Sequence, residues 1–194
     1  MLGIRVLLLS ALVAISSALL GGQAAPAPRA IDVEHSTMTI HVFRSGIFSF
    51  AGDDHEIQAP IAAGSVDQGK RVVELSVDAK KLKVLDPKLS SDKRSQVQEK
   101  MLSPDVLDPA RYPEIRFRST DVQQKGTDGF AVTGNLILHG QTRPVIVNVT
   151  GKAPHYRGKA KLKQTNFGMK PVTVGGGTVK VKDEIEIEFD IVTQ

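Results

Sequence analysis

Apolar and polar residues alternate along most of the chain beyond residue 30. The clearest run lies at the C-terminus, where Ile185, Ile187, Phe189 and Ile191 alternate with acidic residues. Successive side chains of an extended strand point to opposite faces, so this run has one apolar face and one acidic face. A helix would scatter the same residues around its circumference. The pattern therefore predicts a half-buried β-strand.

The same alternation recurs to give about eight strands, separated by segments rich in glycine and proline. Short connections between such strands favour antiparallel pairing. The other apolar rows are Met38, Ile40 and Val42; Phe48 and Phe50; Val73, Leu75 and Val77; Ile115 and Phe117; Phe130, Val132, Leu136 and Leu138 with Gly134; Val145, Val147 and Val149; and Tyr156, Ala160 and Leu162.

One segment departs from the alternation and predicts a helix. Residues 92–102 are rich in charged and amide side chains, and Val97 and Met101 are spaced four apart. Ser91 or Asp92 can cap the start of this helix. The sequence predicts one short amphipathic helix that covers an edge or an open end of the sheet.

The N-terminus has the pattern of an export signal. Arg5 precedes the apolar residues 6–20, and small residues lead up to Ala24. An apolar run of about 15 residues is shorter than the roughly 20 that a spanning helix needs. We expect cleavage after Ala24 and a periplasmic or secreted protein. An uncleaved membrane anchor is the alternative.

The chain divides into three predicted segments. Residues 1–24 are the predicted signal peptide, residues 25–30 are an extended lead-in, and residues 31–194 form one domain. The chain has no cysteine, which excludes disulfides and thiolate chemistry. The net charge of +4, with no Trp and two Tyr, lacks the basic and aromatic surface of a nucleic-acid-binding protein.

Small residues on the predicted inward faces suggest an unfilled interior. Gly134, Gly158 and Ala160 lie on these faces, and the chain has no Trp to fill the space opposite them. A barrel of about eight strands is just wide enough to hold side chains or one small ligand. Two close-packed sheets, with the glycines at strand kinks, are the alternative.

The outer faces predict a pairing between two late strands. If those strands are neighbours, basic and acidic side chains oppose each other across the pair, which sets register and solubility. The residues are Lys159, Lys161 and Lys163 on one strand and Glu184, Glu186 and Glu188 on the other.

A site for chemistry is the competing hypothesis. His55 lies beside Asp53, Asp54 and Glu56, a combination that can bind a metal or act in catalysis. His35 and His41 are six residues apart, roughly 20 Å along an extended strand, so they cannot share an ion without a sharp bend. No Gly-x-Ser-x-Gly motif occurs. We expect no enzymatic activity, no catalytic residue and no metal site, and keep His55 with its acidic neighbours as the alternative.

Several motifs together resemble the YceI-like family, a lipocalin-like group of exported lipid-binding barrels. The resemblance extends from Ile31 to Val192. It rests on residues 31–36 (IDVEHS), 112–120 (YPEIRFRST), 132–145 (VTGNLILHGQTRPV) and 166–169 (NFGM). It implies an all-β, antiparallel, eight-stranded lipocalin-like barrel with one short amphipathic helix.

The resemblance also implies a function. The expected ligand is a long isoprenoid lipid of the polyprenyl or quinone type, held for storage or transport without a covalent cofactor. Two kinds of partner stay open: transient contact with a membrane surface or a membrane redox protein, and a second copy of the chain in a homodimer. The alternative function is that of a ligand-free structural barrel. The predicted ligand-binding residues are Phe48, Phe50, Val73, Leu75, Val77, Phe117, Phe130, Val132, Gly134, Leu136, Leu138, Leu162 and Phe189.

Overall fold

The computed structural model of the protein describes residues 27–45, 54–174 and 179–194. The predicted signal peptide of residues 1–24 lies outside the described residues, as do Phe48, Phe50 and Asp53. Of the predicted lead-in, Arg29–Ala30 forms a short strand that pairs with the sheet.

The described residues form one antiparallel sheet and one α-helix. The elements are β1 (Arg29–Ala30), β2 (Thr37–Ser45), β3 (His55–Gln58), β4 (Ile61–Asp67), β5 (Val72–Asp78), β6 (Lys83–Val84), α1 (Ser91–Leu102), β7 (Glu114–Lys125), β8 (Gly129–Leu138), β9 (Gln141–Lys152), β10 (His155–Lys163), β11 (Thr173–Val174) and β12 (Val179–Val192). Helical 3-10 turns occupy Ala79–Lys81 and Gln164–Phe167.

The all-β prediction with one helix is confirmed, but the count of eight strands is wrong. Eleven of the described strands follow one another in the order β1-β4-β5-β7-β8-β9-β10-β12-β2-β3-β6, and β11 pairs with β12. Five strands had no predicted apolar row: β1, β3, β4, β6 and β11. All of these except β4 have two to four residues, which is too short for an alternation to be read. Ala59 and Pro60 separate β3 from β4, and a turn closed by the Asp32 carboxylate separates β1 from β2.

Backbone hydrogen bonds connect two strands that lie far apart in this order. The Ile31 N–H donates to the Gly64 carbonyl at 2.9 Å, on the β4 side. The Asp32 N–H donates to the Val192 carbonyl at 2.8 Å, and Ile31 also pairs with Thr193. We call this junction, residues 30–32 with Gly64 and residues 192–194, the seam. The seam places β4 on one side of residues 30–32 and β12 on the other. Because these two strands are several strands apart in the sheet order, the sheet must curl to bring them together.

The predicted pairing of charges is confirmed between β10 and β12. Lys159 lies opposite Glu188, and its Nζ is 3.3 Å from the Glu188 carboxylate and 3.4 Å from that of Glu186. The Lys161 Nζ lies 2.9 Å from the Glu184 carboxylate. The hydrogen bond that Lys159 donates to Glu188 raises the pKa of Lys159, and the one that Lys161 donates to Glu184 raises the pKa of Lys161. The outer face of this pair is thus an ion-paired ladder.

The helix begins one residue earlier than predicted. The Ser90 side chain, rather than Ser91 or Asp92, accepts a hydrogen bond from the Lys93 N–H at 3.5 Å. Ser90 has extended backbone angles, which an N-cap residue requires.

Side chains of α1 bind it to the sheet. The Gln98 amide accepts from the Val84 N–H at 2.8 Å and donates to the Leu82 carbonyl at 2.8 Å. Met101 is buried and Val97 is half-buried, as the predicted stripe requires. The helix therefore covers one end of the curled sheet. None of the described helices is long and apolar enough to cross a membrane.

Buried apolar side chains gather in two places. The larger cluster packs α1 and the turn Gln164–Phe167 against the neighbouring strand ends, with Phe167 only 1% exposed and Val84 only 2%. The smaller cluster consists of Ile31, Ile61 and Ile191 and lies at the seam.

Phe167→Ala should destabilise the fold by about 3–5 kcal/mol, because it leaves a cavity in the larger cluster. Urea unfolding measures this change. Ile146→Ala is the matched control, since that side chain is 60% exposed, and it should stay within about 0.5 kcal/mol of the unsubstituted protein. Equal effects of the two substitutions would contradict the position of the core.

Candidate ligand-binding cavity

The inner face of the curled sheet surrounds a cavity of about 830 Å³. Its wall is formed by the apolar rows of β2, β5, β7, β8, β9, β10 and β12, together with Ile57 of β3 and Val66 of β4. The volume lies within the range of roughly 300–1,000 Å³ that is typical of small-molecule sites. The described structure therefore contains an apolar space of ligand size between its two buried clusters.

Most of the predicted binding residues lie on this wall. Those that line the cavity are Val73, Leu75, Val77, Phe117, Phe130, Val132, Leu136, Leu138, Leu162 and Phe189. Phe48 and Phe50 lie outside the described residues. Gly134 is not on the wall.

The expectation that Gly134 and Gly158 leave open space is wrong. A Cβ built on Gly134 would collide with the ring of Phe117 and the backbone of β7, and one on Gly158 would collide with the ring of Phe189. Each glycine thus allows an aromatic ring from the adjacent strand to lie against its backbone. Ala160, the other small residue, does line the cavity.

Several lining residues were not among the predicted ones. β9 contributes Val145, Val147 and Val149, whose alternation had identified an apolar face without assigning it to the site. Helix α1 contributes Lys93, Gln96, Val97, Lys100 and Met101, which share one helical face. The predicted apolar stripe of Val97 and Met101 lies on this face, so the sequence had indicated it without assigning it to the site.

The two ends of the cavity carry different polar residues. At the end covered by α1, the α1 mouth, the polar lining residues are Arg44, His55, Lys93, Gln96, Lys100, Gln164 and Lys180. At the end formed by the β4–β5 turn, the far mouth, they are Asp67, Gln68, Arg71, Gln124 and Tyr156. The Gln68 amide donates to the Tyr156 hydroxyl at 2.7 Å across the far mouth.

His55 has a carboxylate partner that its sequence neighbours did not indicate. Its Nδ1 lies 2.7 Å from Asp86 Oδ2, and Asp86 Oδ1 accepts from the Glu56 N–H at 2.7 Å. The Asp86 side chain is 2% exposed. Asp54 instead accepts a hydrogen bond from the Arg44 N–H at 2.9 Å. The predicted alternative grouping of His55 with Asp54 and Glu56 is therefore not the arrangement observed.

The other two histidines of the alternative site also have separate partners. His35 Nδ1 lies 2.8 Å from Asp32 Oδ2 in the turn between β1 and β2, and His41 Nε2 lies 3.6 Å from a Glu188 oxygen. In residues 27–45, 54–174 and 179–194, no three His, Asp or Glu side chains are grouped to hold a metal ion.

The fold and cavity define a curled, antiparallel β-sheet protein with an apolar interior. A model of the YceI-like domain matches residues 30–193, and the chain belongs to that family. The family inferred from the sequence motifs is thereby confirmed.

Individual relatives agree with this assignment. A UPF0312 protein of Azotobacter vinelandii is 33% identical over 173 residues, which cover 82% of this chain and 85% of that protein. A UPF0312 protein of Pseudomonas savastanoi is 36% identical over 98 residues, or 45% of this chain and 49% of the relative. The crystal structure of Burkholderia cenocepacia BcnA superposes with a TM-score of 0.64 at 20% identity, covering 84% of this chain and 99% of BcnA. This last likeness concerns the fold alone.

Gly134→Ala should destabilise the protein by about 1–3 kcal/mol, because the new methyl group displaces the Phe117 ring. Urea unfolding gives the free energy. Asn135→Ala, on the exposed neighbouring position of β8, is the control and should be nearly neutral. Unchanged stability of Gly134→Ala would mean that the ring does not lie against the backbone.

The hydrogen bond between the His35 ring as donor and the Asp32 carboxylate as acceptor raises the pKa of His35 and lowers the pKa of Asp32. The stabilisation from His35 is present below its unfolded pKa and is lost as the pH rises through the raised value. The stabilisation from Asp32 is present above its unfolded pKa and is lost as the pH falls through its lowered folded-state pKa. An NMR titration should find the His35 pKa above that of a free histidine, and Asp32→Asn should lower it. An unshifted His35 would contradict the pairing.

Proposed function

We propose that the protein binds a long isoprenoid lipid, of the polyprenyl or quinone type, inside its cavity and does no covalent chemistry on it. The main support for this proposal is the apolar wall, to which nine strands contribute aliphatic and aromatic side chains. Membership of the YceI-like family supports a binding role for the barrel.

The energetics favour a chain-like apolar ligand. Each methylene transferred from water into an apolar site contributes about 0.8 kcal/mol. A chain of about 20 carbons, even partly enclosed, gives enough to offset association losses and still bind at micromolar concentration or better. The lining residues are mostly aliphatic, and such side chains recognise a hydrocarbon by contact rather than by directed hydrogen bonds.

The wider role is that of an envelope carrier or store. We propose export to the periplasm or the medium, on the basis of the signal-like residues 1–24. In that compartment a lipid carrier would exchange its ligand with a membrane surface or a membrane redox protein through transient contact.

Native mass spectrometry of gently purified protein, followed by organic extraction, tests the ligand directly. A co-purifying species with isoprenoid mass spacing is expected. A bare protein mass, unchanged after incubation with quinones and polyprenols, would overturn the proposal and favour a ligand-free structural barrel.

A substitution at the wall tests the cavity. Ala160→Trp places an indole in the cavity, on the strand between β9 and β12, and should weaken binding of the diterpene alcohol geranylgeraniol about tenfold or more, equivalent to about 1.4 kcal/mol or more. Displacement of a neutral fluorescent apolar probe gives the affinity.

Asn148→Trp is the matched control, because Asn148 lies on the exposed face of β9 next to the same strand pair. It should leave the affinity unchanged, and thermal melting should show that both variants fold. Equal affinities of a folded Ala160→Trp variant and the control would exclude this cavity as the binding site.

A further inference from the structure

Strands β9 and β10 separate before either of them ends. Their ladder stops where Ala160 lies opposite Val147. Beyond this pair, residues 141–146 of β9 and residues 161–163 of β10 continue, and the latter pair with β12 alone. Among the described strands, none pairs with residues 141–146 on the edge of β9 that faces β10. We call this break in the wall the β9–β10 gap.

The gap lies directly over the cavity. Val145 on one side and Leu162 on the other both line the cavity, and they would be opposite each other if the register of the ladder continued. Pro144 lies on the unpaired edge and has no N–H to donate, so it disfavours completion of the ladder. The gap therefore connects the outside of the sheet with its apolar interior.

The turn Gln164–Phe167 covers the gap and is bound to the β12 side. The Gln164 amide donates to the Lys182 carbonyl at 2.9 Å, and the Thr165 N–H donates to the Asp183 carboxylate at 2.9 Å. The turn follows β10 directly in the chain. The turn, β10 and β12 thus form one side of the gap.

Only side chains connect this turn to the β8–β9 side. The Arg143 Nε donates to the Asn166 carbonyl at 3.0 Å, and the His139 Nδ1 lies 3.2 Å from the Phe167 carbonyl. In the described part of the chain, no backbone–backbone hydrogen bond crosses the gap. Two such bonds are easier to break than a continuous ladder, so the sheet opens more readily here than between paired strands.

The outer side of the gap has the composition of a membrane-contacting surface. Ile146 is 60% exposed, more than any other large apolar side chain of the described residues. It directly follows Val145, which faces the cavity. Arg143 and Lys163 are exposed and place a cation on each side of the gap. Cations attract an anionic lipid surface, and an exposed isoleucine gains from burial in its apolar layer.

We propose that the β9–β10 gap is a lateral portal through which the lipid passes between the cavity and an anionic phospholipid bilayer. Ile146 contacts the bilayer, and the Arg143 side chain holds the portal closed. The inference rests on the proposed function, because it requires a lipid in the cavity.

A lateral route suits a long apolar chain. A chain that leaves end-on through a mouth exposes its methylene groups to water before they reach the membrane, and this exposure is unfavourable. A chain that leaves between two strands meets the bilayer along its length. The portal therefore governs the rate of lipid transfer, whereas the cavity wall governs the affinity.

A cross-link across the gap separates rate from affinity. The chain has no cysteine, so Arg143→Cys with Asn166→Cys introduces two thiols at residues that already touch across the gap. A short, reductively cleavable bismaleimide joins them. The protein is loaded with tritiated geranylgeraniol and mixed with vesicles of phosphatidylcholine and phosphatidylglycerol, which are then recovered by centrifugation. We expect the cross-link to slow transfer about tenfold or more and to leave the equilibrium affinity within about twofold.

Asn148→Cys with Lys159→Cys is the matched control, because these residues lie opposite each other in the intact ladder of the same two strands. Its cross-link should leave the rate unchanged. Cleavage of the linker across the gap should restore transfer to at least the rate of the unsubstituted protein, since the Arg143 contact is gone. Equal rates for the two cross-linked proteins would overturn the portal and leave the proposed function standing. Absence of geranylgeraniol binding in the unsubstituted protein would overturn the proposed function itself.

Ile146→Ser tests the contact with the bilayer. It should slow transfer about fivefold without a change in affinity, and Val33→Ser, at another exposed apolar residue, should have no effect. Transfer by the unsubstituted protein should quicken with vesicle concentration and slow on vesicles of phosphatidylcholine alone. A rate independent of vesicle concentration would show escape through water and overturn the membrane contact. Equal rates on the two kinds of vesicle would overturn the preference for an anionic surface.

Discussion

The fold depends on the seam, where a segment of three residues forms hydrogen bonds with two strands, β4 and β12, that lie far apart in the sequence. Ile31 bonds to Gly64 and pairs with Thr193, and Asp32 bonds to Val192. An antiparallel sheet built from consecutive hairpins has two edges, and these bonds join the β4 side to the β12 side. Ile31, Ile61 and Ile191 bury apolar surface at the same place. Curvature, and with it an inside and an outside, follows from this junction.

Once the sheet is curled, the distribution of large side chains decides what fills it. Helix α1 and the turn containing Phe167 fill one end, and the isoleucines of the seam fill another region. The side chains between them are mostly Val, Leu and Ile, too short to meet across the interior. Two of the aromatic rings on the wall, those of Phe117 and Phe189, lie over the backbone of Gly134 and Gly158. Glycine therefore preserves the cavity indirectly, by giving each ring a place at the wall.

Patterns with a period of two identified most of the strands, ten residues of the wall and the charge ladder of β10 and β12, because each depends only on residues close in sequence. The predictions that failed concern features that depend on contacts between residues distant in sequence, or on the orientation of a side chain. The partner of His55 is Asp86, 31 residues later in a loop, and no local pattern connects them. The environment of Gly134 depends on the position of a ring on the next strand. The strand count failed because no predicted apolar row fell on β1, β3, β4, β6 or β11, and all of these but β4 have only two to four residues, too few to show an alternation.

The cavity also bears on how a bound hydrocarbon would change the stability of the fold. The apolar wall around the space of about 830 Å³ exists only in the folded chain, because it is assembled from strands far apart in the sequence. A hydrocarbon that binds this wall and not the unfolded chain would raise the free energy of unfolding as its concentration rises. Such a ligand would act as part of the core of the protein.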